Sequence, residues 1–504
     1  MVVQGSFTVL FGALVFGLFA FVLYSQLTTY LARRQIKQDN GCKPPQARYA
    51  HKDPLFGLDF LWENIKKGKE YKLLENAQRR FARLGNTFTA KMFLMPVIAT
   101  IEPENVKTIL SLKFKDFSLG PREEMLGPLL GRGIFTTDGE RWQHSRHMIR
   151  PNFARDQVAD LQAFERHIKD LFKLIPRDGS MVDLQDLFFR FTIDSATEFL
   201  FGQSTHTLRE DGKTSGSAFA SAFNHAQYDV MMNVRLQALR HFKRDPKARE
   251  AIKFCHDFVD QFVDQAVEYR ETHDLEKAAP EGKYLFLHEL ARQTTDRRRL
   301  RDELLNVLLA GRDTTASLLS NMFWQLAKRP DVWEKLQAEV AELDGQPPSY
   351  QQLRNMKYLK YCLNESLRTH PVVPGNSRFA IRDTVIPLGG GPDGTAPLFV
   401  KKGTLIMYSP WSMHRRKDFY GPDADEYRPE RWETLRPGWE YLPFNGGPRI
   451  CLGQQYALTE AGYVTTRILQ EFKGIESRDP EPWQESLTLT LCSRNGTKVS
   501  LTPR

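Results

Sequence analysis

The apolar residues divide the chain into an apolar N-terminus, a long helical region and one short region of strands. The segment from Phe7 to Tyr24 contains no charged residue and is almost wholly apolar. Its eighteen residues would form a helix of roughly 27 Å, close to the ~30 Å hydrocarbon core of a bilayer. The pattern therefore predicts one N-terminal transmembrane helix, and no second span is apparent.

A cleaved signal peptide is the main alternative for this segment. Such a peptide carries positive charge before its apolar stretch, whereas the first 32 residues contain no Lys or Arg and the first basic residues are Arg33 and Arg34. The positive-inside rule then places the bulk of the protein on the cytoplasmic side. Pro44 and Pro45 indicate a stiff linker. We expect an anchor at 1–32, a linker at 33–50 and one globular domain at 51–504.

The globular part is predominantly helical in pattern from about 60 to 370. The polar stretches 203–217 and 272–283 predict surface loops. Between 376 and 412, β-branched and aromatic runs are broken by Pro and Gly, which predicts short strands and turns. The Gly389–Gly394 run lacks the spacing of a phosphate-binding loop and indicates a turn instead. The expected fold class is mainly α with a small β region.

Composition and charge add few constraints on function. The net charge of +9 and pI near 9.1 suit an anionic membrane surface or an acidic partner, but Lys and Arg are spread along the chain and no nucleic-acid motif is present. The five cysteines contain no CxxC pair. Sparse, unpaired cysteines indicate a reducing compartment rather than a disulfide framework.

One of these cysteines lies in a distinctive context. Cys451 is embedded in the segment FNGGPRICLG, residues 444–453, and a helical pattern runs from Gln454 to Phe472 directly after it. A helix N-terminus favours the thiolate form of a cysteine. Gly453 permits close approach of a flat group, and Arg449 is placed to pair with an anion. The alternative is an inert buried thiol.

A second candidate site lies within a predicted helix from Glu303 to Lys328. Its middle reads AGRDTT, residues 310–315. A threonine hydroxyl that bonds back to a carbonyl one turn earlier weakens the helical ladder, and Asp313 with Thr314 then forms an acid–alcohol pair suited to proton transfer. The alternative is a core helix kinked at Gly311, in which Asp313 forms a salt bridge with a basic neighbour.

The segment 444–453 matches the heme-binding signature FxxGxRxCxG, and with it the sequence resembles the cytochrome P450 superfamily. The resemblance covers nearly the whole chain after the anchor and implies a heme-thiolate monooxygenase fold that binds heme b (iron protoporphyrin IX). It implies that Cys451 is the axial iron ligand and that Asp313 and Thr314 are catalytic. The further cofactor-binding residues that it implies are Arg449, Trp142, Arg146, Arg378, Phe444 and Gly453.

The resemblance also implies a structural network around the heme. In the family, the ExxR pattern, here Glu365 to Arg368, joins a segment that corresponds to Pro429–Trp432 in a buried cluster. Both segments are present here in that order. Their implied role is fold stability rather than chemistry.

Further segments narrow the resemblance to the fungal alkane- and fatty-acid-hydroxylating group. These segments are FSLG at 117–120, GGGPDG at 389–394, YLPFNGG at 441–447 and GQQ at 453–455. The resemblance implies terminal hydroxylation of a long-chain lipid with O2. It also implies electrons from an NADPH–cytochrome P450 reductase and a single-pass location in the endoplasmic reticulum membrane. Two alternatives stay open: a secondary-metabolite hydroxylase, and a non-catalytic heme sensor or electron carrier.

Overall fold

The structure, a computed structural model, describes residues 2–153, 161–209, 215–272 and 285–504. The chain divides into two compact units. The smaller unit comprises Met1–Phe60, Phe81–Ser118 and Arg378–Met407, and the larger unit comprises Leu61–Arg80, Leu119–Ser377 and Tyr408–Arg504.

Helices make up most of the described residues. In chain order they are α1 (Val2–Asp39), α2 (Leu58–Lys69), α3 (Leu73–Leu84), α4 (Pro103–Lys107), α5 (Arg122–Leu130), α6 (Gly139–Ile149), α7 (Gln162–Lys173), α8 (Leu184–Phe201), α9 (Ser215–Leu236), α10 (Pro246–Thr272), α11 (Phe286–Gln293), α12 (Arg297–Leu326), α13 (Pro330–Ala341), α14 (Tyr350–Asn355), α15 (Lys357–Thr369), α16 (Pro410–Met413), α17 (Lys417–Tyr420) and α18 (Gln454–Glu471).

Twelve short strands form four small sheets in the described residues. The strands are β1 (Thr87–Met92), β2 (Met95–Thr100), β3 (Phe117–Ser118), β4 (Val182–Asp183), β5 (Asn376–Ala380), β6 (Thr384–Gly390), β7 (Ala396–Val400), β8 (Leu405–Tyr408), β9 (Phe472–Ser477), β10 (Glu485–Leu487), β11 (Leu491–Ser493) and β12 (Lys498–Pro503). The strand orders are β1-β2-β8-β5-β3, β4-β12-β9, β6-β7 and β10-β11. In the antiparallel pair of β1 and β2, Thr87 faces Thr100 and Met92 faces Met95.

The smaller unit contains the apolar helix α1. Among the described residues, Phe11–Asp39 is the helical stretch that is long and apolar enough to cross a bilayer, and an 18-residue window within it has a mean hydropathy of 1.7. The helix extends beyond the predicted anchor into the first residues of the predicted linker and ends at Asp39. The linker is also tied to the unit, since Arg33 Nε donates to Asp383 at 2.8 Å and Pro45 forms a β-bridge with Gly390.

The larger unit is built around α12, whose side chains are buried on almost every side. Apolar residues of α12 such as Leu319 and Phe323 pack with Phe188 and Phe191 of α8 in one hydrophobic cluster. The N-terminal half of α12 packs with α5, α9 and α10 in a second cluster. A helix that is buried on almost every side is a core helix, and burial of each of its large apolar side chains contributes about 1.5–3 kcal/mol.

The predicted fold class is confirmed, with some differences at the level of elements. The helix predicted from Gln454 ends one residue early, at Glu471, and α12 begins six residues before the predicted Glu303. Strands do form within 376–412. The prediction missed β1 and β2, which interrupt the helical region. The loop predicted at 203–217 ends where α9 begins at Ser215, and residues 210–214 and 273–284 lie outside the described residues.

Candidate functional site

The loop before α18 presents Cys451 at the start of that helix. Asn445 and Gly447 adopt positive φ angles of 60° and 68°, which turn the chain sharply. The backbone N–H of Cys451 then donates to the carbonyl of Phe444 at 3.0 Å, which closes the loop. Gly453 is the residue immediately before the helix, and α18 has no side-chain N-cap. Cys451 thus lies three residues before the first residue of α18, next to a helix end whose first N–H groups lack intrahelical acceptors.

Cys451 is exposed, whereas Cys255, Cys362 and Cys492 are buried. Burial by the surrounding protein nevertheless raises the pKa of the Cys451 thiol, and the Gly453 N–H and the Arg146 guanidinium lower it only in part. A thiol that is accessible yet enclosed by protein lies in the wall of a recess. The neighbouring Ile450, which is 40 % exposed, extends this open apolar surface.

Cationic side chains of the cysteine loop and of α6 meet next to the sulfur. The Arg449 guanidinium lies 4.3 Å from the ring centroid of the buried Trp142. Its Nη2 forms an ion pair with Asp138 at 2.6 Å and donates to the carbonyl of Thr137 at 2.8 Å. A guanidinium over an indole face is held by a cation–π interaction. The Arg449 side chain is therefore held in one orientation by its contacts with α6 and with the two residues before that helix.

Arg146 joins the same group from the next turn of α6. Its Nη1 donates to the carbonyl of Ile450 at 3.0 Å. Burial lowers the pKa of Arg146, and the nearby Cys451 raises it. Trp142 and Arg146 are four residues apart and so share a helix face. The structure therefore brings together Trp142, Arg146, Arg449 and Cys451, as the resemblance implied.

Asp313 and Thr314 on α12 show both arrangements that the sequence predicts as alternatives, namely the threonine back-bond and the salt bridge of the aspartate. The hydroxyl of Thr314 donates to the carbonyl of Ala310 at 2.6 Å, the predicted back-bond. The buried carboxylate of Asp313 forms an ion pair with Arg312 at 2.9 Å and accepts a hydrogen bond from Gln227. Burial raises the pKa of Asp313, and both partners lower it.

The ExxR segment forms the expected buried network. Glu365 and Arg368 pair at 2.8 Å with both side chains fully buried. Arg431 Nε donates to Glu365 at 2.9 Å, and Trp432 Nε1 donates to the same carboxylate at 3.0 Å. Nearby, the Nε2 of His414 accepts from the Leu442 N–H at 2.9 Å, and burial lowers the pKa of His414 to about 3.

The remaining predicted residues are placed as follows. Phe444 packs against the core cluster that includes α18. Arg378 is buried on β5, which begins in the larger unit and continues into the smaller one. A Cβ at Gly453 would meet only the Phe153 ring, at an ordinary 3.6 Å. Packing within the chain therefore does not require glycine at this position.

Sequence reasoning missed two residues that hold the site. Asp138 directly precedes α6, a position where Asp signals a helix start, but its carboxylate binds Arg449 and the Leu119 N–H instead of capping the helix. Gln227 lies on α9, 86 positions from Asp313. No local pattern could have indicated so distant a contact.

An accessible cysteine at a helix start, with arginines beside it and an acid–alcohol helix in the same unit, is the arrangement of a heme-thiolate site. A family model described as Cytochrome P450 matches residues 54–500 of the chain. The chain therefore belongs to the cytochrome P450 family. It is a heme-thiolate monooxygenase that binds heme b and uses O2, a lipophilic substrate and a redox partner, and its apolar N-terminal helix fits membrane anchoring.

Several similar proteins come from fungi. The cytochrome P450 monooxygenase himC of Aspergillus japonicus is 52 % identical over 472 residues, which cover 92 % of this chain and 84 % of himC. The cytochrome P450 monooxygenase fsdH of Fusarium heterosporum is 50 % identical, with coverage of 95 % and 86 %. Cytochrome P450 52A13 of Debaryomyces hansenii is 45 % identical, with coverage of 88 % and 89 %. These relatives confirm the predicted resemblance to fungal cytochromes P450.

The residues present fit heme. The accessible sulfur of Cys451 offers an axial ligand, and Arg146 and Arg449 offer cations for the anionic edge of the cofactor. Packing within the chain does not require glycine at position 453, whereas a flat group that lies against this loop would. A coordinated metal deprotonates a thiol outright, so the raised pKa of Cys451 does not conflict with thiolate ligation.

Proposed function

We propose that this chain is a membrane-bound cytochrome P450 that hydroxylates the terminal or near-terminal carbon of a long-chain lipid, either a fatty acid or an n-alkane. The observation that carries the chemistry is the exposed Cys451 at the start of α18, beside Arg146 and Arg449. The lipid substrate is supported by the sequence segments of the fungal alkane- and fatty-acid-hydroxylating group and by the 52A relative.

Cys451 is the proposed axial ligand, and the side chains around it are proposed to hold the heme. Arg449, Trp142 and Arg146 bind the propionate edge, and Arg378 is a further propionate ligand. Phe444 and Gly453 shape the loop against the cofactor face. Bound heme supplies the activation of dioxygen, which a thiolate ligand promotes by donating electron density to the iron.

Thr314 and Asp313 are the proposed proton carriers. The Thr314 hydroxyl donates a hydrogen bond to the Ala310 carbonyl, and after rotating away from that carbonyl it could donate a proton toward the heme site. Asp313 restores that proton. Burial raises the pKa of Asp313 and the Arg312 pair lowers it, so breaking the pair favours the protonated carboxyl that can pass a proton to Thr314.

The proposed location is the endoplasmic reticulum membrane, with α1 as a single-pass anchor and the catalytic domain facing the cytoplasm. The basic residues Arg33, Arg34 and Lys37 follow the apolar stretch of α1 and support this orientation. The proposed electron donor is NADPH–cytochrome P450 reductase. The net charge of +9 suits an acidic redox partner, because complementary charge steers association.

A second candidate is a hydroxylase of a fungal secondary metabolite, a terpenoid or a polyketide. It is favoured by one observation: himC and fsdH are more similar to this chain than 52A13 is, and neither carries the 52A name. The catalytic side chains are the same in both candidates, so the substrate alone separates them.

A spectral titration and a product screen test the proposal together. Ferric membrane-bound enzyme is titrated with fatty acids and n-alkanes of increasing length, and then with a panel of terpenoids and polyketides. A low-spin to high-spin shift at micromolar lipid, followed by reductase-supported formation of a terminal alcohol, supports the proposed substrate. A response and product only with terpenoids or polyketides establishes the second candidate. Cys451→Ala membranes control for nonspecific absorbance changes.

A further inference from the structure

The β6–β7 hairpin of the smaller unit holds the part of the linker that follows α1. The Lys43 N–H donates to the Pro397 carbonyl of β7 at 3.0 Å. The Gln46 N–H donates to the Gly389 carbonyl of β6 at 2.9 Å. Backbone groups that are paired in this way are held in one conformation, so the linker is bound along the hairpin instead of hanging free between anchor and globule.

The glycine run Gly389–Gly394 makes room for the linker. A Cβ at Gly390 would stand 3.0 Å from the Lys43 carbonyl oxygen, and a Cβ at Gly394 would stand 2.3 Å from Gln46 Oε1. Gly394 also has a positive φ of 74°. The run that the sequence predicts as a turn is therefore also the surface against which the linker packs.

The last turns of α1 are bound at the other end of the same hairpin. Asp383 directly precedes β6, and its Oδ2 accepts from Arg33 Nε at 2.8 Å. Its Oδ1 accepts from the Lys402 N–H at 2.7 Å. Lys37 Nζ lies 4.9 Å from the centroid of the Phe399 ring on β7, within the range of a cation–π interaction. Because α1 is one continuous helix, these contacts fix the direction in which its apolar part leaves the smaller unit.

Arg33 marks the level at which α1 meets the polar surface of a bilayer. It is the first charged residue of the chain. The uncharged helix from Phe11 to Ala32 spans roughly 33 Å, about the thickness of the hydrocarbon core. Arg33 and the Lys402 N–H share the carboxylate of Asp383, so the turn that contains Lys402 lies at the level of the lipid headgroups.

Cationic side chains gather at this level. Lys401 and Lys402 are exposed in the turn between β7 and β8, and Arg34 is exposed on α1. In the part of the chain that the structure describes, none of these three forms an ion pair, and the adjacent Arg382 forms only a long one, of 3.5 Å, with Asp116. Basic clusters just cytoplasmic of a membrane helix attract anionic phospholipids.

We propose that the β6–β7 hairpin is a docking site for the membrane anchor, and that this docking holds Lys401 and Lys402 against the headgroups of anionic phospholipids. The occupant is a lipid headgroup because the turn is tied, through Asp383, to the first charged residue after the apolar span. The smaller unit then has a fixed orientation on the bilayer. The inference rests on the membrane location of α1 proposed above.

Backbone amide exchange of the full-length holoenzyme in nanodiscs tests the docking of the linker. The Lys43 and Gln46 N–H groups should exchange at least about tenfold more slowly than in an unstructured peptide, because both are paired with the hairpin. The measurement is deuterium uptake of the peptide that covers 42–49. Uptake as fast as that of a free peptide would overturn the inference.

Acetylation of lysine side chains tests the headgroup contact. The holoenzyme is labelled in nanodiscs of phosphatidylcholine, alone or mixed with phosphatidylserine, and the rates at Lys401 and Lys402 are read by mass spectrometry. Both amines should react about threefold more slowly in the anionic discs, because a negative lipid surface favours the protonated, unreactive form. Inorganic phosphate added to neutral discs should not reproduce this protection, and protection by phosphate alone would assign the lysines to a soluble anion.

Arg33→Gln separates the docking of α1 from the charge of the two lysines. The variant loses the ion pair with Asp383, so the acetylation rates at Lys401 and Lys402 in anionic discs should rise toward those in neutral discs. Asp383→Asn breaks the same pair but can still accept from the Lys402 N–H, and it should behave in the same way. Arg34→Gln is the matched control, because it removes an equal charge from the next residue of α1 and should keep the protection.

Three further results would overturn the inference. One is equal acetylation in neutral and anionic discs, and another is equal protection in Arg33→Gln and Arg34→Gln. The third is protection that arises only when an acidic redox partner is added, which would assign the lysines to that partner. The proposed membrane location fails by a different result, namely release of the wild-type protein from membranes by alkaline carbonate, so the two failures are distinguishable.

Discussion

Arg449 and Asp138 form an ion pair of 2.6 Å that joins the cysteine loop to the start of α6. The second carboxylate oxygen of Asp138 accepts from the Leu119 N–H at 2.8 Å, so the acid itself is held in place. The Arg449 side chain is 9 % exposed. A buried charge without its partner is costly, and so the pair determines where Arg449 lies before any cofactor is bound.

Removing Asp138 should weaken heme retention. In Asp138→Ala, Arg449 loses its charged partner and its position over Trp142, and heme should transfer to an apo-heme acceptor about tenfold faster, since charge-assisted hydrogen bonds contribute ~1.5–3 kcal/mol. The measurement is the rate of Soret absorbance change on mixing. Asp178→Ala is the control, because Asp178 only caps its own turn at Ser180. Equal rates in both variants would contradict the role assigned to Asp138.

Breaking the buried network around Glu365 should destabilise the fold strongly. Glu365→Ala leaves Arg368 buried without its carboxylate and removes one of the two carboxylates that pair with Arg431, which costs about 3–5 kcal/mol. Denaturant unfolding of the holoenzyme, followed by near-ultraviolet circular dichroism, measures the loss. Glu75→Ala removes an exposed pair with Arg79 and should cost less than about 1 kcal/mol. A similar small loss in both variants would show that the network contributes little to stability.

Stability should fall as pH rises toward 7 because of Glu460. This carboxyl is buried on α18 beside Ser195 and Thr315, and burial raises its pKa to about 7. The folded state therefore keeps a proton that the unfolded chain releases near pH 4.5. Its contribution is complete below about pH 4.5 and is lost as pH rises through 7. The loss amounts to at most about 3 kcal/mol, at 1.36 kcal/mol for each pKa unit.

Glu460→Gln should remove this part of the pH dependence. Urea unfolding at pH 5 and pH 8 compares the variant with the wild type and with Glu250→Gln, an exposed control on α10. Some slope should persist in Glu460→Gln, because burial also raises the pKa of Glu303 to about 7. The account of Glu460 is wrong if its variant keeps the full wild-type slope.

The local geometry of the site followed from its sequence where the signals were short in range. The turn at 444–453, the helix after it and the Thr314 back-bond each depend on neighbours within a few residues. The side chains that bind these groups come from distant parts of the sequence and could not be predicted in this way. Gln227 on α9 binds Asp313. Asp138 stands at the N-cap position of α6, but its carboxylate binds Arg449 instead of capping the helix. The strands β1 and β2 were missed because their pairing is a tertiary choice that periodicity within a helical region does not reveal.

Loss of the Thr314 hydroxyl should lower the yield of product per NADPH oxidised, while the rate of electron input should stay the same. Thr314→Ala should keep the fold and the heme but removes the hydroxyl proposed to supply a proton, so product formed per NADPH oxidised should fall by up to about a hundredfold, the low end of general acid catalysis. Ser320→Ala removes an equivalent back-bond on α12, from a buried hydroxyl to the Ala316 carbonyl, and should leave the ratio near that of the wild type. If both variants remain fully coupled, the hydroxyl of Thr314 carries no proton.

The carbon monoxide difference spectrum of the reduced membrane-bound enzyme reports directly on the proposed ligation of the heme iron by Cys451. We expect a thiolate-type carbonyl band in the wild type and in Cys492→Ser, whose cysteine is buried, and complete loss of this band in Cys451→Ser. A thiolate-type band that persists in Cys451→Ser would show that Cys451 is not the axial ligand.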